Sequence, residues 1–424
     1  MNAEEIAAHL LKFQAASSRR LHLIASENQM PEPAWAPYMT EALSRYCFGG
    51  AGEENWGWPG RGDLAELESA AARGIGALLG ARYVTVKPIS GLSAMTVALS
   101  ALAGSAGTVF SLAESDGGHG STAFVARRFG LHWQPLPFDL TSWCVDVAAL
   151  ARQARCITGP VLVYLDSFMT LFPHNIKAIR DAVGDPVTIH YDGSHTLGLI
   201  AGGVFQDPLA EGADSVGGSV HKTWPGPPGK GVVATNDAGV ADRIDDHAAG
   251  WISHSHSADT AALAFSVAWM TDHARDYAAA VVANARRLAA ALTEQGFTIC
   301  AAERGYTQSH QVWVDIDRIC GAETASRLLY EAGIVVNAIS IPYLSAPGLR
   351  LGVQELTFAG LDSAGVDELA VLMACAVIHR EPPESVARAV AALRARYVTS
   401  EDLHAAEELA HLMPSVRQPE LRTP

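Results

Sequence analysis

The sequence predicts an α/β fold in which a large unit with a mostly parallel β-sheet is followed by a smaller α+β unit. Short runs rich in β-branched residues alternate with Ala- and Leu-rich stretches such as residues 93–102, which is typical of a parallel sheet covered by helices. A long Ala-rich stretch at about residues 259–295 predicts a helix that leads out of this layer, and the runs beyond it lose the regular alternation. We therefore expect two units, residues 1–280 and 281–424.

Each predicted element follows from a local pattern. Residues 63–79 carry apolar side chains at helical spacing and stop at Gly80, and residues 3–15 have an amphipathic helical pattern. The strands predicted for the large unit are residues 83–86, 108–112, 161–165, 187–191, 215–218 and 231–234. The smaller unit is predicted to contain strands at 298–301, 311–316 and 349–352 and helices near 322–332, 366–378 and 385–394. The Pro-rich tail from Pro414 has no apolar period, so we expect it to be loose.

The composition favours an enzyme that acts on small molecules. Hydrophobic residues make up 49% of the chain and charged residues 18%, which is ordinary for a globular protein. The net charge of -15 leaves no basic surplus for a phosphate backbone, so nucleic acid is not expected as a partner. No apolar run approaches the roughly 20 residues that cross a bilayer, so no membrane association is expected. The six cysteines lack CxxC spacing and the N-terminus lacks a secretion signal, so we expect a cytoplasmic protein.

Two polar residues follow predicted strands of the large unit. Asp192 ends the run Ile189-His190-Tyr191, and Lys222 lies thirty positions later in His221-Lys222-Thr223. A carboxylate at a strand end can pair with a cationic ring nitrogen, and a desolvated lysine can form an imine with an aldehyde; pyridoxal 5′-phosphate chemistry requires both. Taken singly, Asp192 could be a helix cap and Lys222 a surface lysine. Together they predict a pyridoxal 5′-phosphate site.

Two further motifs suit the same cofactor. The turn Ser90-Gly91 follows a predicted strand and opens a helix, whose free N–H groups attract a phosphate. His119, in Gly117-Gly118-His119, follows the next predicted strand and is placed to stack on the cofactor ring. An ordinary capped turn and a capping or core histidine are the structural alternatives for these short motifs.

These motifs form part of an ordered series that resembles the serine hydroxymethyltransferase family. The series consists of Leu23-Ile24-Ala25-Ser26-Glu27-Asn28, the Ser90-Gly91 turn, Gly117-Gly118-His119, residues 191–203 with Asp192-Gly193-Ser194-His195, Gly218-Ser219-Val220-His221-Lys222-Thr223 and Gly348-Leu349-Arg350-Leu351-Gly352. The similarity extends over about residues 23–398. The resemblance implies the fold of the fold-type-I pyridoxal-phosphate transferases, pyridoxal 5′-phosphate as cofactor, and a homodimer with shared active sites.

The resemblance also implies a role for each matching residue. Lys222 would bind the cofactor as a Schiff base, Asp192 would pair with the pyridine nitrogen, and His195 would lie near the ring's O3′. The catalytic residues implied in this way are Lys222, Asp192, His119 and His195. The cofactor-binding residues are Ser90, Gly91, His119, Ser167, Asp192, His195, His221, Lys222 and Tyr46, the last from the neighbouring subunit. The substrate-binding residues are Ser26, Tyr46 and Arg350; Arg350 suits a carboxylate because its planar guanidinium donates two parallel hydrogen bonds.

The sequence departs from the family pattern where folate would bind. The segment Tyr46-Cys47-Phe48-Gly49-Gly50 lacks the glutamate that the folate-dependent enzymes use for proton transfer, and Glu53 or Glu54 lies a few positions later. Trp56 and Trp58 stand in place of a tyrosine pair, and Leu92 replaces a phosphate-binding serine. The pterin-contacting asparagine of the family is Ile339 here, and an apolar side chain cannot make that polar contact.

These departures make the chain resemble a side branch of the family, the L-threonine transaldolases of natural-product pathways. Residues 305–312 and 350–354 are also similar to that branch. The resemblance implies that acetaldehyde is released from threonine and the glycyl unit is added to another aldehyde, with His119 or His195 handling the hydroxyl proton. The substrates would be an amino acid and an aldehyde, and the loops at residues 49–60 and 341–347 would shape the acceptor pocket.

Three alternatives remain open at the level of sequence. One is a tetrahydrofolate-dependent hydroxymethyltransferase for serine or an α-substituted serine, with Glu53 or Glu54 as proton carrier. Another is a metal hydrolase, suggested by His254-Ser255-His256 and nearby Asp259, although the motif shows no third ligand at a usual spacing and no metal is expected. The third is a non-catalytic binding protein, which the joint presence of Lys222, Asp192 and Arg350 argues against.

Overall fold

The computed structural model describes residues 1–46, 60–139 and 141–397. Within these ranges the α-helices are α1 (Ala3–Ser17), α2 (Gly62–Leu79), α3 (Gly91–Leu102), α4 (Gly120–Arg128), α5 (Val147–Ala154), α6 (Ile176–Val183), α7 (Leu197–Ala201), α8 (Ala238–Trp251), α9 (Ser257–Glu294), α10 (Ala322–Glu331), α11 (Gln354–Phe358), α12 (Ser363–Val377) and α13 (Pro383–Ala395). In the described part of the chain, none of these helices has the length and apolarity that a membrane span requires.

The strands fall into a seven-stranded sheet, a four-stranded sheet and two small pairs. Their bounds are β1 (Leu21–His22), β2 (Tyr83–Thr85), β3 (Thr108–Ser111), β4 (His132–Pro135), β5 (Phe138–Asp139), β6 (Cys144–Val145), β7 (Val161–Asp166), β8 (Val187–Asp192), β9 (Ser215–Ser219), β10 (Gly231–Thr235), β11 (Thr298–Ile299), β12 (Gln311–Asp315), β13 (Ile334–Val335), β14 (Asn337–Ile339) and β15 (Gly348–Gly352).

The large sheet has the strand order β2-β10-β9-β8-β7-β3-β4. The strands β9, β8, β7, β3 and β4 are parallel neighbours, and β10 runs antiparallel to both β2 and β9. All six strands predicted for the large unit are present. The prediction of an α/β fold with a mostly parallel sheet is therefore confirmed, and the fold is that of the fold-type-I pyridoxal-phosphate enzymes.

The register of β7 and β8 places two acids side by side at the functional edge of this sheet. The Cα atoms of Asp166 and Asp192 are paired, each at the last residue of its strand. Both strands are buried along nearly their whole length. The sequence of β7 is accordingly apolar up to its acid, whereas β8 also carries Thr188 and His190.

The smaller sheet is antiparallel, with the strand order β11-β12-β15-β14. Helix α9 packs against α2 and α7 beside the large sheet and against α12 in the C-terminal part of the chain. One apolar core accordingly runs from Ile75 of α2 through Leu263 and Leu288 of α9 to Leu369 of α12. The predicted boundary at residue 280 lies within α9 and stays a prediction.

Candidate active site

A cavity of about 230 Å³ opens at the carboxyl ends of β7, β8 and β9, next to the starts of α3 and α4. Parallel α/β sheets form ligand sites at this edge because the loops that leave the strands carry polar groups into one crevice. The predicted site residues that line the cavity are Ser90, Gly91, His119, Ser167, Asp192, His195, His221 and Lys222. It is also lined by Leu92, Met95, Ser121, Asp166, Phe168, Ser194 and Ser219.

One end of the cavity is a cradle of hydroxyl and N–H groups at the start of α3. The Ser90 hydroxyl accepts from the backbone N–H of Ser93 at 3.0 Å, and the Ser194 hydroxyl accepts from that of Ser219 at 3.0 Å. A Cβ added at Gly91 would lie 2.9 Å from the Cβ of Ser219, so glycine leaves this space open. Helix N–H groups and hydroxyls around an open space fit a phosphate group.

Asp192 is buried at the end of β8 and is held by two donors. The Tyr164 hydroxyl donates to Oδ2 at 2.8 Å, and the backbone N–H of Ser194 donates to Oδ1 at 2.9 Å. Burial raises the pKa of Tyr164 well above its ordinary value, so its hydroxyl keeps the proton that it donates. Gly218 packs so closely that a Cβ there would lie 2.9 Å from Asp192 Oδ1, which explains a glycine with φ of +136° at this point. A carboxylate oriented in this way suits a protonated ring nitrogen.

Lys222 lies in the segment that follows β9, on the same edge of the sheet. Burial lowers the pKa of its amine to about 8; the Asp192 carboxylate opposes this shift and Arg350 adds to it. The Asn28 side chain donates to the Lys222 carbonyl oxygen at 2.6 Å and so fixes the backbone at this position. A lysine with such a lowered pKa is neutral in roughly a tenth of the molecules at pH 7, and the neutral form is the nucleophile.

His119 caps α4 at the opposite wall of the cavity. Its backbone N–H donates to Asp166 Oδ2 at 3.2 Å, and its Nδ1 accepts from the backbone N–H of Ser121 at 3.3 Å. The ring meets Phe168 edge to face, with the ring centroids 6.1 Å apart. Partial burial lowers the pKa of the ring, so His119 is neutral at neutral pH.

His195 is buried, and its Nδ1 faces two residues near the start of β12. The Nε2 atoms of His310 and Gln311 lie 3.5 Å and 3.3 Å from His195 Nδ1. Burial and the nearby cations Lys222 and Arg350 lower the pKa of His195 well below its ordinary value, so this ring is neutral as well.

Ser167 and His221 complete the predicted cofactor contacts that line the cavity. The Ser167 hydroxyl lies 2.6 Å from Nε2 of His174, a buried histidine whose pKa is lowered to about 4 by desolvation. Burial lowers the pKa of His221 to about 4, and its buried Nδ1 has no hydrogen-bond partner among the described residues. An unpaired buried nitrogen beside a cavity suits a polar ligand.

Arg350 reaches the active-site region from β15, in the smaller sheet. Its Nη1 donates to the Phe168 carbonyl oxygen at 3.1 Å, and its Nη2 donates to Asn337 Oδ1 at 2.9 Å. Its buried Nε has no partner among the described residues, and burial lowers its pKa to about 10. Ser26 is half-buried in the loop after β1, and the preceding residue, Ala25, lies against Gly352 of the same β15. The residue next to Ser26 therefore packs against the strand that carries Arg350, although neither Ser26 nor Arg350 lines the cavity within the described chain.

Tyr46 lies apart from the cavity of its own chain. Its hydroxyl donates to the Ser253 carbonyl oxygen at 2.8 Å, and its ring stacks on His254 with the centroids 4.5 Å apart. The predicted cofactor and substrate contacts of Tyr46 belong to a neighbouring subunit and stay predictions.

Asp166 is a residue of the cavity that the sequence analysis missed. Its Oδ2 accepts hydrogen bonds from the Thr122 hydroxyl and the His119 backbone, whereas its buried Oδ1 has no partner in the described chain. Burial raises the pKa of Asp166 well above its ordinary value. The signal was available: the run at residues 161–166 ends on an acid just as the run that ends at Asp192 does.

Several predictions fall outside the described residues. These are the roles of Cys47, Phe48, Gly49, Gly50, Glu53, Glu54, Trp56 and Trp58, the acceptor loop up to residue 59, and the tail from Pro414. The metal-hydrolase alternative rested on His254 and His256, whose rings stack 4.9 Å apart. Across the described ranges, no group of three or more His, Cys, Asp or Glu residues is arranged to hold a metal ion.

The family model described as serine hydroxymethyltransferase matches residues 1–373. The chain belongs to the serine hydroxymethyltransferase family. It is accordingly a pyridoxal-phosphate-dependent enzyme of the transferase and aldolase type, and its cofactor is pyridoxal 5′-phosphate. The phosphate cradle, the oriented Asp192 and the buried Lys222 fit this cofactor.

Relatives in the family carry two kinds of name. The chain is 36% identical over 393 residues to a fluorothreonine transaldolase from Streptantibioticus cattleyicolor, covering 90% of this chain but only 61% of that protein. It is 37% identical to an L-threonine:uridine-5′-aldehyde transaldolase from a Streptomyces species, covering 85% and 87% of the two chains. It is also 36% identical to a serine hydroxymethyltransferase from Methanocella arvoryzae, covering 89% and 90%.

A solved structure of the same family is similar over nearly the whole chain. The L-threonine transaldolase from Pseudomonas fluorescens, described in its internal aldimine state, superposes with a TM-score of 0.83. The two chains are 27% identical, and the alignment covers 96% of each.

Proposed function

We propose that this protein is an L-threonine transaldolase, which releases acetaldehyde from threonine and joins the remaining glycyl unit to a second aldehyde. The observation that carries the proposal is the environment of Ile339. This residue replaces the pterin-contacting asparagine of the folate enzymes, and it packs into an apolar cluster with Ile341, Trp143 and Tyr343. The polar edge of a pterin placed against this cluster would lose its hydrogen bonds to water without gaining a partner at Ile339. The relatives named as threonine transaldolases support the same conclusion.

Different residues of the cavity are assigned to different parts of the cofactor. Bound pyridoxal 5′-phosphate supplies an electron-withdrawing ring that stabilises negative charge on the α-carbon of the substrate. The Ser90-Gly91 turn would hold the phosphate, and Asp192 would keep the ring nitrogen protonated. Lys222 would provide the neutral amine that binds the cofactor aldehyde.

Arg350 and Ser26 are assigned to the substrate carboxylate. The guanidinium of Arg350 is already oriented by the Phe168 carbonyl and by Asn337, and its buried Nε lacks a partner in the described chain. A carboxylate would supply the missing acceptor and balance the buried positive charge.

His119 is assigned to the hydroxyl proton of threonine. Carbon–carbon bond cleavage requires a base for this proton, and a neutral imidazole is the form that accepts it. The only hydrogen bond found for this ring within the described chain is the long one from the Ser121 backbone to Nδ1, so a change in its protonation costs little. His195, in contrast, has its Nδ1 close to two nitrogen atoms and is less suited to exchange a proton.

The test follows acetaldehyde release from L-threonine by the purified, cofactor-loaded protein, with and without a panel of aldehydes. A serine assay with and without tetrahydrofolate runs in parallel. We expect acetaldehyde release without folate, together with new β-hydroxy-α-amino acids when an acceptor is present. Turnover of serine alone, and only with folate, would overturn the proposal.

The Ile339→Asn variant tests whether Ile339 is the reason that the protein does not respond to tetrahydrofolate. It restores the polar group of the folate enzymes at one position of β14. We expect it to keep threonine cleavage and to gain a measurable response to tetrahydrofolate. The matched Ile339→Leu variant keeps the apolar contact and should show no such response.

A second candidate function is supported by the family match and by the relative named as a serine hydroxymethyltransferase. In this alternative the protein transfers a hydroxymethyl group between tetrahydrofolate and serine or an α-substituted serine. It requires Glu53 or Glu54 as proton carrier. One of the variants Glu53→Gln and Glu54→Gln should then lose serine turnover, whereas the transaldolase proposal expects threonine cleavage to continue in both.

A further inference from the structure

A buried hydrogen-bond chain leads from the aromatic cluster of the smaller sheet to the active-site ring of His195. It runs from the Trp313 indole through the Gln311 side chain, both on β12, to His195 Nδ1. All three side chains are buried. Polar groups in such surroundings must be paired correctly because water cannot replace a missing partner.

The neighbours of Gln311 fix the orientation of its amide. Oε1 lies 2.9 Å from Trp313 Nε1 and 3.3 Å from the Thr170 backbone nitrogen, and both of these groups only donate. Nε2 lies 2.9 Å from the Phe168 carbonyl oxygen, which only accepts. A flipped amide would set its NH₂ group against two donors and its oxygen against an acceptor. Nε2 therefore presents its second hydrogen to His195 Nδ1, 3.3 Å away.

The other neighbour of this nitrogen cannot accept a proton from it. His310 Nε2 lies 3.1 Å from the Ala25 carbonyl oxygen, which only accepts, so His310 carries its proton on Nε2 and donates it to that oxygen. The same Nε2 lies 3.5 Å from His195 Nδ1. Neither Gln311 Nε2 nor His310 Nε2 can accept a hydrogen bond, so a proton on His195 Nδ1 would have no acceptor at either nitrogen, whereas an unprotonated Nδ1 accepts from Gln311. Because burial keeps the ring neutral, its single proton lies on Nε2.

We propose that Gln311 is a positioning residue that holds His195 in the Nε2-protonated tautomer, so that the ring offers an N–H donor to the cofactor. Such a donor suits the phenolic oxygen of pyridoxal 5′-phosphate, which carries negative charge. The role in the cavity rests on the proposed assignment of His195, but the tautomer follows from the hydrogen-bond chain alone. Because the His195 ring already has this tautomer before the cofactor binds, the free energy of cofactor binding includes no cost for changing it.

The tautomer is measured first on the cofactor-free protein. Labelling with ¹³C,¹⁵N-histidine and long-range ¹⁵N–¹H correlation distinguishes protonated from unprotonated ring nitrogens, and the His195→Asn variant identifies the His195 signals among the 16 histidines. We expect His195 to show a protonated Nε2 and an unprotonated Nδ1. A protonated Nδ1 would overturn the proposal whatever reaction the enzyme catalyses.

Two variants then test whether Gln311 determines the tautomer of His195. Gln311→Met keeps the length of the side chain but removes its donor, and we expect a mixture of His195 tautomers and roughly fivefold to tenfold weaker binding of pyridoxal 5′-phosphate. Gln311→Glu replaces the donor with an acceptor and should move the proton to Nδ1. It also keeps the test informative if the methionine variant does not fold.

The control is Gln308→Met, the same change on an exposed side chain three residues earlier. It should leave both the tautomer and the cofactor affinity unchanged. An unchanged His195 tautomer in folded Gln311→Met and Gln311→Glu proteins would assign the control of this ring to His310 and overturn the proposal. Failure of the transaldolase assay would leave these spectra unaffected, so the two proposals fail separately.

Discussion

Asp166 and Asp192 are the same residue type at the ends of neighbouring strands, yet their surroundings differ. Asp192 accepts a hydrogen bond on each oxygen, whereas the described chain gives Asp166 two donors on Oδ2 and none on its buried Oδ1. Burial of a carboxyl group with one unpaired oxygen favours the protonated form, as the raised pKa of Asp166 indicates. We infer that Asp192 pairs with the ring nitrogen of the cofactor and that Asp166 orders His119 as a neutral acid.

Substitution of Asp166 tests this difference. Asp166→Ala leaves the Thr122 hydroxyl and the His119 backbone N–H without their acceptor, so we expect a loss of about 2–4 kcal/mol in the free energy of unfolding. Asp166→Asn keeps an acceptor oxygen and the neutral state, and should stay within about 1 kcal/mol of the wild type. Urea unfolding of the cofactor-free proteins measures both. A large loss in the asparagine variant would indicate that the charge of Asp166 is needed.

The pKa of Lys222 predicts how cofactor attachment depends on pH. Only the neutral amine reacts with the aldehyde, and its fraction rises as pH increases through a pKa of about 8. The rate at which cofactor-free protein captures pyridoxal 5′-phosphate should therefore rise about tenfold per pH unit well below that value and level off above it. Stopped-flow absorbance gives the profile. Nα-acetyl-lysine, with an ordinary pKa of about 10.4, is the control, and a protein profile that matched it would contradict the prediction.

At the scale of elements, the phosphate cradle depends on how closely α3 approaches β9. A Cβ at Gly91 would lie 2.9 Å from the Ser219 Cβ and 3.4 Å from the Ser194 hydroxyl. Gly91→Ala should therefore narrow the cradle and weaken binding of pyridoxal 5′-phosphate by roughly 10–100-fold through the cost of overpacking.

Gly250→Ala is the matched control for this substitution. Gly250 lies in α8, and a Cβ there meets nothing within 4 Å. This variant should keep the cofactor affinity and gain about 0.5–1 kcal/mol of stability from better helix propensity. The affinity for pyridoxal 5′-phosphate is measured by fluorescence titration of the cofactor-free proteins. Equal affinities in the two variants would show that Gly91 is not part of the cradle.

Two elements that the sequence analysis missed are edge strands. β4 and β14 each lie at the end of a sheet, and polar residues or Pro make up three of the four residues of β4 and one of the three residues of β14. Edge strands need no continuous apolar run because one side of the strand has no neighbour, and charge or proline there discourages further pairing. The central strands β7 and β8 are buried between neighbours, and their predicted bounds were correct to one residue.

At the scale of the whole molecule, the position of Tyr46 bears on assembly. It binds the backbone of Ser253 and stacks on His254, and it does not line the cavity of its own chain in the described structure. We propose a homodimer in which Tyr46 serves the cavity of the partner subunit, as the family resemblance implies.

Subunit complementation tests the shared site. Tyr46→Phe and Lys222→Ala homodimers should each have strongly reduced activity. A hybrid of one subunit of each kind restores one complete site, so random mixing should recover up to about a quarter of the wild-type activity. Light scattering tests whether the protein is a dimer. No recovery from mixed dimers would mean that Tyr46 serves the cavity of its own subunit, and it would contradict the shared site.

The sequence by itself determined the strands of the large sheet other than β4, the α/β class, the cofactor and just over half of the residues that line the cavity. The spacing of apolar residues and the residue types along the chain indicate local conformation and burial. Acids or lysines that follow buried parallel strands lie at the same edge of the sheet. Only the tertiary structure decided that Arg350 reaches the Phe168 loop from the second sheet, that the buried Oδ1 of Asp166 has no partner in the described chain, and that Gln311 faces His195. Those facts depend on side chains far apart in the chain, and the direction of a hydrogen bond or the cost of a buried charge is set by neighbours that no local pattern contains.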